Sequence, residues 1–147
     1  MLARAIIAFI ALPGVVGFLL PLGWAALTRL PLRLPSALVL VAAGTALLLW
    51  CVREFYVAGK GTLAPWQPPR RLVVSGPYRI SRNPMYVAVV LVLLGWAVAY
   101  RSGGLALYAA TVAIAFQLRV VLAEEPWLAR THGAAWHGYA QRVRRWF

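Results

Sequence analysis

Apolar residues run almost unbroken over residues 5–27 and 36–57, then from 84 to about 100 and from 105 to about 125, separated by stretches rich in proline, glycine and arginine. Apolar runs of about 17–25 residues are long enough to cross a bilayer as helices. The pattern therefore predicts four transmembrane helices. The first run has only Arg4 as a charge ahead of it. It exceeds a signal-peptide core, which spans about 7–15 residues, and shows no polar cleavage region. Pro13-Gly14 and Pro21 are expected to kink it, which a membrane helix tolerates where neighbouring helices cover the freed backbone groups. A linker over 28–35, carrying Arg29 and Arg33, joins it to the second run, so that residues 1–57 form a helical hairpin. The third helix, 84–100, is near the lower length limit for a span. Arg101-Ser102-Gly103-Gly104 reads as a tight turn, and Pro126 is expected to end the fourth helix. In the tail, 127–147, Trp136, Tyr139, Val143 and Trp146 follow one another at spacings of three, four and three, with Gln141, Arg142 and Arg145 elsewhere around the helix. That spacing predicts an amphipathic helix lying in the membrane interface.

The segment 58–83 breaks the pattern. Gly59, Gly61, Pro65, Pro68, Pro69, Gly76 and Pro77 alternate there with Lys60, Arg70, Arg71, Arg79 and Arg82. Structureless loops of this length are uncommon and are usually functional or disordered. Leu63, Trp66, Leu72, Val73, Val74 and Tyr78 argue against disorder. The segment reads as an ordered lid or wall on the cytoplasmic membrane face. Within it, Gly76-Pro77 signals a turn, and Asn83-Pro84 signals a helix start, with Asn capping free backbone N–H groups and Pro at the first helical position.

Composition turns this pattern into a class. Of 147 residues, 63% are hydrophobic and 12% charged, and the mean hydropathy is +0.76, outside the range of soluble globular domains. The expected fold is one all-α integral membrane domain, 1–147, in which 1–57 form the hairpin and 58–147 the half that carries the chemistry. The net charge of +12 forms no nucleic-acid-binding stripe, since the basic residues lie between apolar runs. With the N-terminus inside, Arg4, Arg53, Lys60, Arg70, Arg71, Arg79, Arg82, Arg119, Arg130, Arg142, Arg144 and Arg145 are inner, and only Arg29, Arg33 and Arg101 are outer. The positive-inside rule places the N-terminus, the long loop and the tail in the cytoplasm, where loop and tail can contribute to one site. Cys51, the single cysteine, lies inside an apolar run and reads as a small core residue.

Candidate chemistry is sparse. The acidic residues are Glu54, Glu124 and Glu125, two of them adjacent near the expected C-terminal end of helix 4, where the helix dipole disfavours anions by about 0.3–1 kcal/mol each. Either they neutralise Arg119, Arg130 or the loop arginines, or at least one binds a cationic or hydroxyl-bearing ligand, as ionisable residues at a membrane boundary often do. His132 and His137 lack a cysteine or aspartate partner, so no metal site is expected. Gly59-Lys60-Gly61-Thr62 lacks the spacing and preceding strand of a phosphate loop.

Gly76-Pro77-Tyr78, Arg82-Asn83-Pro84-Met85-Tyr86, Glu124-Glu125, Leu128, Gly133, Tyr139 and Arg142-Val143 together resemble the isoprenylcysteine carboxyl methyltransferases and phospholipid methyltransferases of the membrane. The resemblance spans about residues 59–147. It implies methyl transfer from S-adenosylmethionine to a membrane-embedded or amphiphilic acceptor, such as a lipid or a prenylated molecule. By the same resemblance Tyr78, Arg82, Asn83, Pro84, Tyr86, Glu124, Glu125, Tyr139 and Arg142 surround the cofactor, and Arg119 and Glu125 act on the reacting groups. The family commonly has histidine where this chain has Asn83, which retains hydrogen bonding but is no base near neutral pH. It also commonly has a Phe-Gly pair where this chain has His132-Gly133. Two other classes compete with the methyltransferase. One is a non-catalytic four-helix membrane subunit or lipid-binding scaffold whose glutamates only pair with arginines. The other is a reductase using a nicotinamide cofactor, for which the chain offers no complete dinucleotide-binding glycine motif.

Overall fold

The computed structural model describes residues 10–58 and 72–147. Arg4, the start of the first apolar run, and the stretch containing Lys60, Arg70 and Arg71 lie outside the described residues. The protein is all-helical. Among the described residues there is no strand, only one isolated parallel bridge between Ser81 and Arg144.

Helix α1 starts with π geometry over Ile10–Leu19 and continues as the α-helix Leu20–Leu27. The expected kinks thus take the form of a π-helical stretch around Pro13, with Pro21 in the first turn of the α-helical part. Proline has no N–H, so Pro21 leaves the carbonyl four residues back without its α-type donor and the carbonyl five back without its π-type donor. Those carbonyls belong to Gly17 and Val16. Trp96 Nε1 donates to the first and the Tyr108 hydroxyl to the second, each at 3.0 Å.

Helix α2 (Leu38–Val57) follows a short turn, Pro35–Ala37, and packs antiparallel on α3 (Pro84–Ala99). Glycines set their distance. A Cβ on Gly44 would lie 2.8 Å from the Ala88 carbonyl oxygen and 2.7 Å from Val92 Cγ2, and one on Gly95 would lie 2.8 Å from the Val41 nitrogen. Such close approach supplies the packing that membrane helices need where hydrophobic drive is absent. Leu48, Ala88, Val89 and Leu93 of α2 and α3 form a buried core with Ala109 of the next helix.

Helix α4 (Gly103–Arg119) begins earlier than predicted, because the Ser102 Oγ caps it by accepting from Leu105 N at 3.3 Å. Gly103 and Gly104 are helical, and the turn before them narrows to 100–102 with Arg101 at φ 48°. Pro126 does not end this helix. A π turn, Val120–Glu124, passes directly into α5 (Glu125–His132), so that Gly103–His132 is one continuous helix of 30 residues. The change of register puts Pro126 in the first turn of α5, where a missing N–H breaks no bond of that segment. Glu124 and Glu125 consequently do not face the dipole of a helix C-terminus.

The tail is not one interfacial helix either. Gly133, at φ 50°, interrupts it, α6 spans Ala134–Arg142, and the chain is extended at Val143. Trp136 and Tyr139 are buried against the protein instead of facing lipid.

Two helices, Pro35–Val57 and Gly103–His132, are long and apolar enough to span a membrane. The apolar stretches Pro13–Leu27 and Pro84–Ala99 are shorter. At 1.5 Å per residue, 16 residues reach about 24 Å against a hydrocarbon core of about 30 Å.

Candidate active site

The chain leaving α2 returns to α3 through residues 72–83, and that return is seated on both sides. On the α2 side, Glu54 is 8% exposed and accepts from Ser75 Oγ at 2.5 Å. Gly76 has φ 56°, and any Cβ there would meet Glu54 Cγ at 2.8 Å and Trp50 Nε1 at 3.0 Å. Only glycine meets both the conformation and the space, so the turn read from Gly76-Pro77 is present, as the short 3-10 helix Gly76–Arg79. The Tyr78 ring follows into a buried cluster with Cys51 and Val73, edge-on to Phe55 at 5.4 Å. Cys51 is thus a core residue, as read. The Tyr78 hydroxyl is buried with no hydrogen-bond partner among the described residues, and burial, with the neighbouring Cys51 adding to it, pushes the phenol far above its usual range.

On the other side the tail closes over the loop. The Tyr139 hydroxyl donates to the Tyr78 carbonyl at 2.6 Å, and its burial pushes the Tyr139 phenol up to about 12. Arg82 N donates to the Arg144 carbonyl at 2.9 Å. The Arg145 carbonyl accepts from Ser81 Oγ at 3.3 Å and from Asn83 Nδ2 at 3.0 Å. Loop and tail therefore touch. Pro84 holds the first helical position of α3 and is buried, but Asn83 does not cap that helix with its side chain. The amide is drawn to the tail carbonyl, and Ser81 Oγ accepts from Asn83 N at 3.1 Å.

Two carboxylates complete the cluster. Glu124 Oε1 accepts from the Tyr86 hydroxyl and from Arg119 Nε at 2.7 Å, and Arg119 Nε also lies 3.2 Å from the Tyr86 hydroxyl. The Tyr86 ring stacks on Phe116 at 4.2 Å. Among the described residues, every hydrogen bond to Glu124 falls on Oε1. Glu125 is engaged on both oxygens. Arg145 grips it through Nε and Nη2, each at 2.8 Å, and Arg82 Nη1 reaches Oε1 at 3.1 Å. The two-point hydrogen bond to Glu125 raises the already high pKa of Arg145. The Arg82 guanidinium lies over the Trp136 ring, 5.5 Å from its centre, and its Nε–H is buried without a partner among the described residues.

The sequence-derived candidates thus divide. Arg82, Asn83, Pro84, Tyr86, Arg119, Glu124 and Glu125 converge where loop, α3, α4 and tail meet. Tyr78 and Tyr139 lie one layer away and join loop to tail. Arg142 does not converge: it is exposed, and its Nε donates to the carbonyl of Gly138 in its own helix at 3.0 Å. Arg130, considered as a partner for the glutamates, is exposed, and Arg82, Arg119 and Arg145 pair with them instead. Arg145, Trp136 and Ser81 were missed by sequence reading. The Arg145 pair spans 20 positions and two separate elements, so no local spacing announces it. Glu54 was visible as a rare acid at the end of an apolar run, and its partner Ser75 was not.

Residues 32–135 match the phospholipid methyltransferase family. The chain belongs to that family. The match covers most of the chain, from the linker ahead of α2 to the start of α6, and so begins before the motifs that carry the resemblance and ends before Tyr139. No curated protein and no solved structure shows detectable similarity to the chain. Membership of the phospholipid methyltransferase family and the membrane-length helices identify a membrane methyltransferase, and the cluster built around Glu124 and Glu125 is its candidate active site.

Proposed function

We propose that the protein transfers a methyl group from S-adenosylmethionine to an amphiphilic acceptor, a lipid head group or a prenylated carboxylate, at this cluster. One observation carries the reading. Among the described residues, the networks of Glu124 and Glu125 leave complementary groups unfilled: an acceptor at Glu124 Oε2 and a buried donor at Arg82 Nε, which Glu125 holds in place. A buried unpaired donor costs about 1–3 kcal/mol, so a ligand acceptor that met it would relieve that cost. S-adenosylmethionine presents matching chemistry, with ribose hydroxyls and an ammonium for a carboxylate and a carboxylate for a guanidinium. When bound, its sulfonium supplies the methyl group.

The residues present have distinct tasks. Glu124 accepts hydrogen bonds and is itself aimed by Tyr86 and Arg119. Glu125 fixes Arg82 in position, and the Tyr86–Phe116 stack offers an aromatic face to a cation or an adenine ring. Arg119, whose side chain is 56% exposed, stands at the rim and meets the polar head of the acceptor. Asn83 donates to a tail carbonyl, a task a ring N–H of histidine performs equally, so the family's usual histidine is replaced here without loss of that bond. Alignment of donor and acceptor where water is excluded supplies the rate enhancement, which suits a cluster built to hold and orient groups.

Four spans with the N-terminus, loop and tail in the cytoplasm complete the proposal. The acceptor approaches sideways from the bilayer, between helices near Tyr86 and Arg119, and keeps its chain in hydrocarbon at about 0.8 kcal/mol per methylene. The pairing of all three glutamates with arginines favours a second reading, a non-catalytic scaffold. One experiment separates them. Calorimetric titration of the detergent-purified protein with S-adenosylmethionine should show binding, and Glu124→Gln should weaken it about tenfold or more, as loss of a charge-assisted bond does. Unchanged affinity in a folded Glu124→Gln protein would leave Glu124 as an ion-pair partner only.

A further inference from the structure

The chain beyond residue 142 lies outside the stretch that matches the family, yet it is hydrogen-bonded to Ser81, Arg82 and Asn83 of the loop. Arg145 is the centre of these bonds. Its side chain makes a two-point bond to Glu125, while its own carbonyl accepts from Asn83 and Ser81. The residue before it accepts from Arg82 N, and the residue after it donates through Trp146 Nε1 to Gln117 Oε1 at 2.9 Å. Three consecutive residues thus tie the loop, α4 and α5 together.

We propose that Arg145 is a positioning residue: it latches the strap formed by residues 143–147 across Arg82 and Asn83, and so sets the donor-binding face of the cluster. Two features give this direction. Glu125 receives both Arg82 and Arg145, so removing Arg145 leaves Arg82 as its only guanidinium partner among the described residues and frees Glu125 to turn. Asn83 and Ser81 have their side-chain partner on the backbone of the same residue, so a strap that lifts takes both bonds with it. A lysine in this place carries the charge but cannot make the two-point bond to Glu125. The identity of the donor rests on the function proposed above, whereas the latch does not.

The test uses the full-length protein in detergent with a nitroxide attached at Phe147→Cys, a position 76% exposed, Cys51 being buried. With Arg145 present the label should report a restrained strap by electron paramagnetic resonance. Arg145→Ala should release it and Arg145→Lys should restrain it only in part. Methyl transfer with radiolabelled S-adenosylmethionine should show KM for the donor raised about tenfold in Arg145→Ala, with kcat changed less, and adding Glu125→Gln should raise KM by less than it does alone, since the two residues share one bond while Glu125 also holds Arg82. A strap that stays restrained in Arg145→Ala would overturn the latch. So would a released strap whose donor KM remains within about twofold of the starting protein. A starting protein that binds no S-adenosylmethionine would sink the function proposed above and leave the latch to be judged on strap release alone.

Discussion

Tyr139 shows how one side chain joins chain segments that sequence keeps apart. Its hydroxyl donates to the carbonyl of Tyr78 while its ring is buried, and both facts favour the neutral phenol. The folded pKa of about 12 lies above the usual value of about 10. For a group whose folded pKa is raised, the stabilising contribution is complete below the unfolded pKa and disappears as pH rises through the folded one. Tyr139 therefore stabilises fully up to about pH 10 and loses that contribution between about 10 and 12. Thermal unfolding in detergent should find Tyr139→Phe less stable at neutral pH by about 1 kcal/mol. The gap should shrink across the alkaline window, and a gap constant from neutral pH to 12 would rule out a coupled phenol. The same residue shows what sequence can and cannot say. Its membership of the aromatic spacing in the tail was visible, and the partner of those aromatics was not, because a helix face wanting cover looks the same whether lipid or protein covers it.

Among elements, α1 has a backbone that draws donors from other helices. Pro21 leaves the carbonyls of Val16 and Gly17 to Tyr108 and Trp96. A hydrogen bond of this kind between membrane helices is worth about 0.6–2 kcal/mol. Trp96→Phe is expected to destabilise the protein by that amount. In a Pro21→Ala background the restored N–H can satisfy Gly17 itself, so the cost of Trp96→Phe should fall to a few tenths of a kcal/mol. Refolding equilibria of the four proteins in mixed micelles would measure the coupling, and equal costs in both backgrounds would refute the exchange of donors. Element ends follow the same logic. The bounds of α2 and α3 were legible because apolar runs meet proline and glycine there. Pro126 misled because a π turn shifts the register just ahead of it, and nothing in the local spelling of Val120–Glu124 marks that shift. Asn83 misled because capping chemistry is local, and the stronger partner came from a residue 62 positions away.

At the scale of the molecule, the two polar ends differ. Arg33 N and Leu34 N both donate to the Ala99 carbonyl at 2.9 Å, tying together the two linkers that hold Arg29, Arg33 and Arg101. The loop, α5, α6 and strap gather at the opposite end with the carboxylates. Single cysteines introduced at Arg29 and at Arg79, both exposed, should therefore respond oppositely to an impermeant thiol reagent on intact cells. Position 29 should label and position 79 should not; labelling at 79 from outside would overturn both the orientation and the cytoplasmic site. All-helical architecture and the meeting of loop and tail were legible from hydropathy and from charge. The composite character of the site was legible only as two blocks on one face, since the bonds that close it join separate elements, side chain to backbone at Asn83 and side chain to side chain at Glu125.

The carbonyls that Pro21 leaves open also bear on how the protein is made. In the proposed four-span topology, α1 reaches the membrane before α3 and α4, and its donors lie 79 and 92 residues further along the chain. During synthesis the first helix therefore lacks two side-chain donors at a depth where lipid offers none. Release into lipid before the third and fourth helices arrive would be costly, so α1 should remain beside the insertion machinery and leave it together with them. Assembly of these helices would then be a single late event rather than a sequence of independent insertions, with Trp96 and Tyr108 as the residues whose arrival lets α1 go.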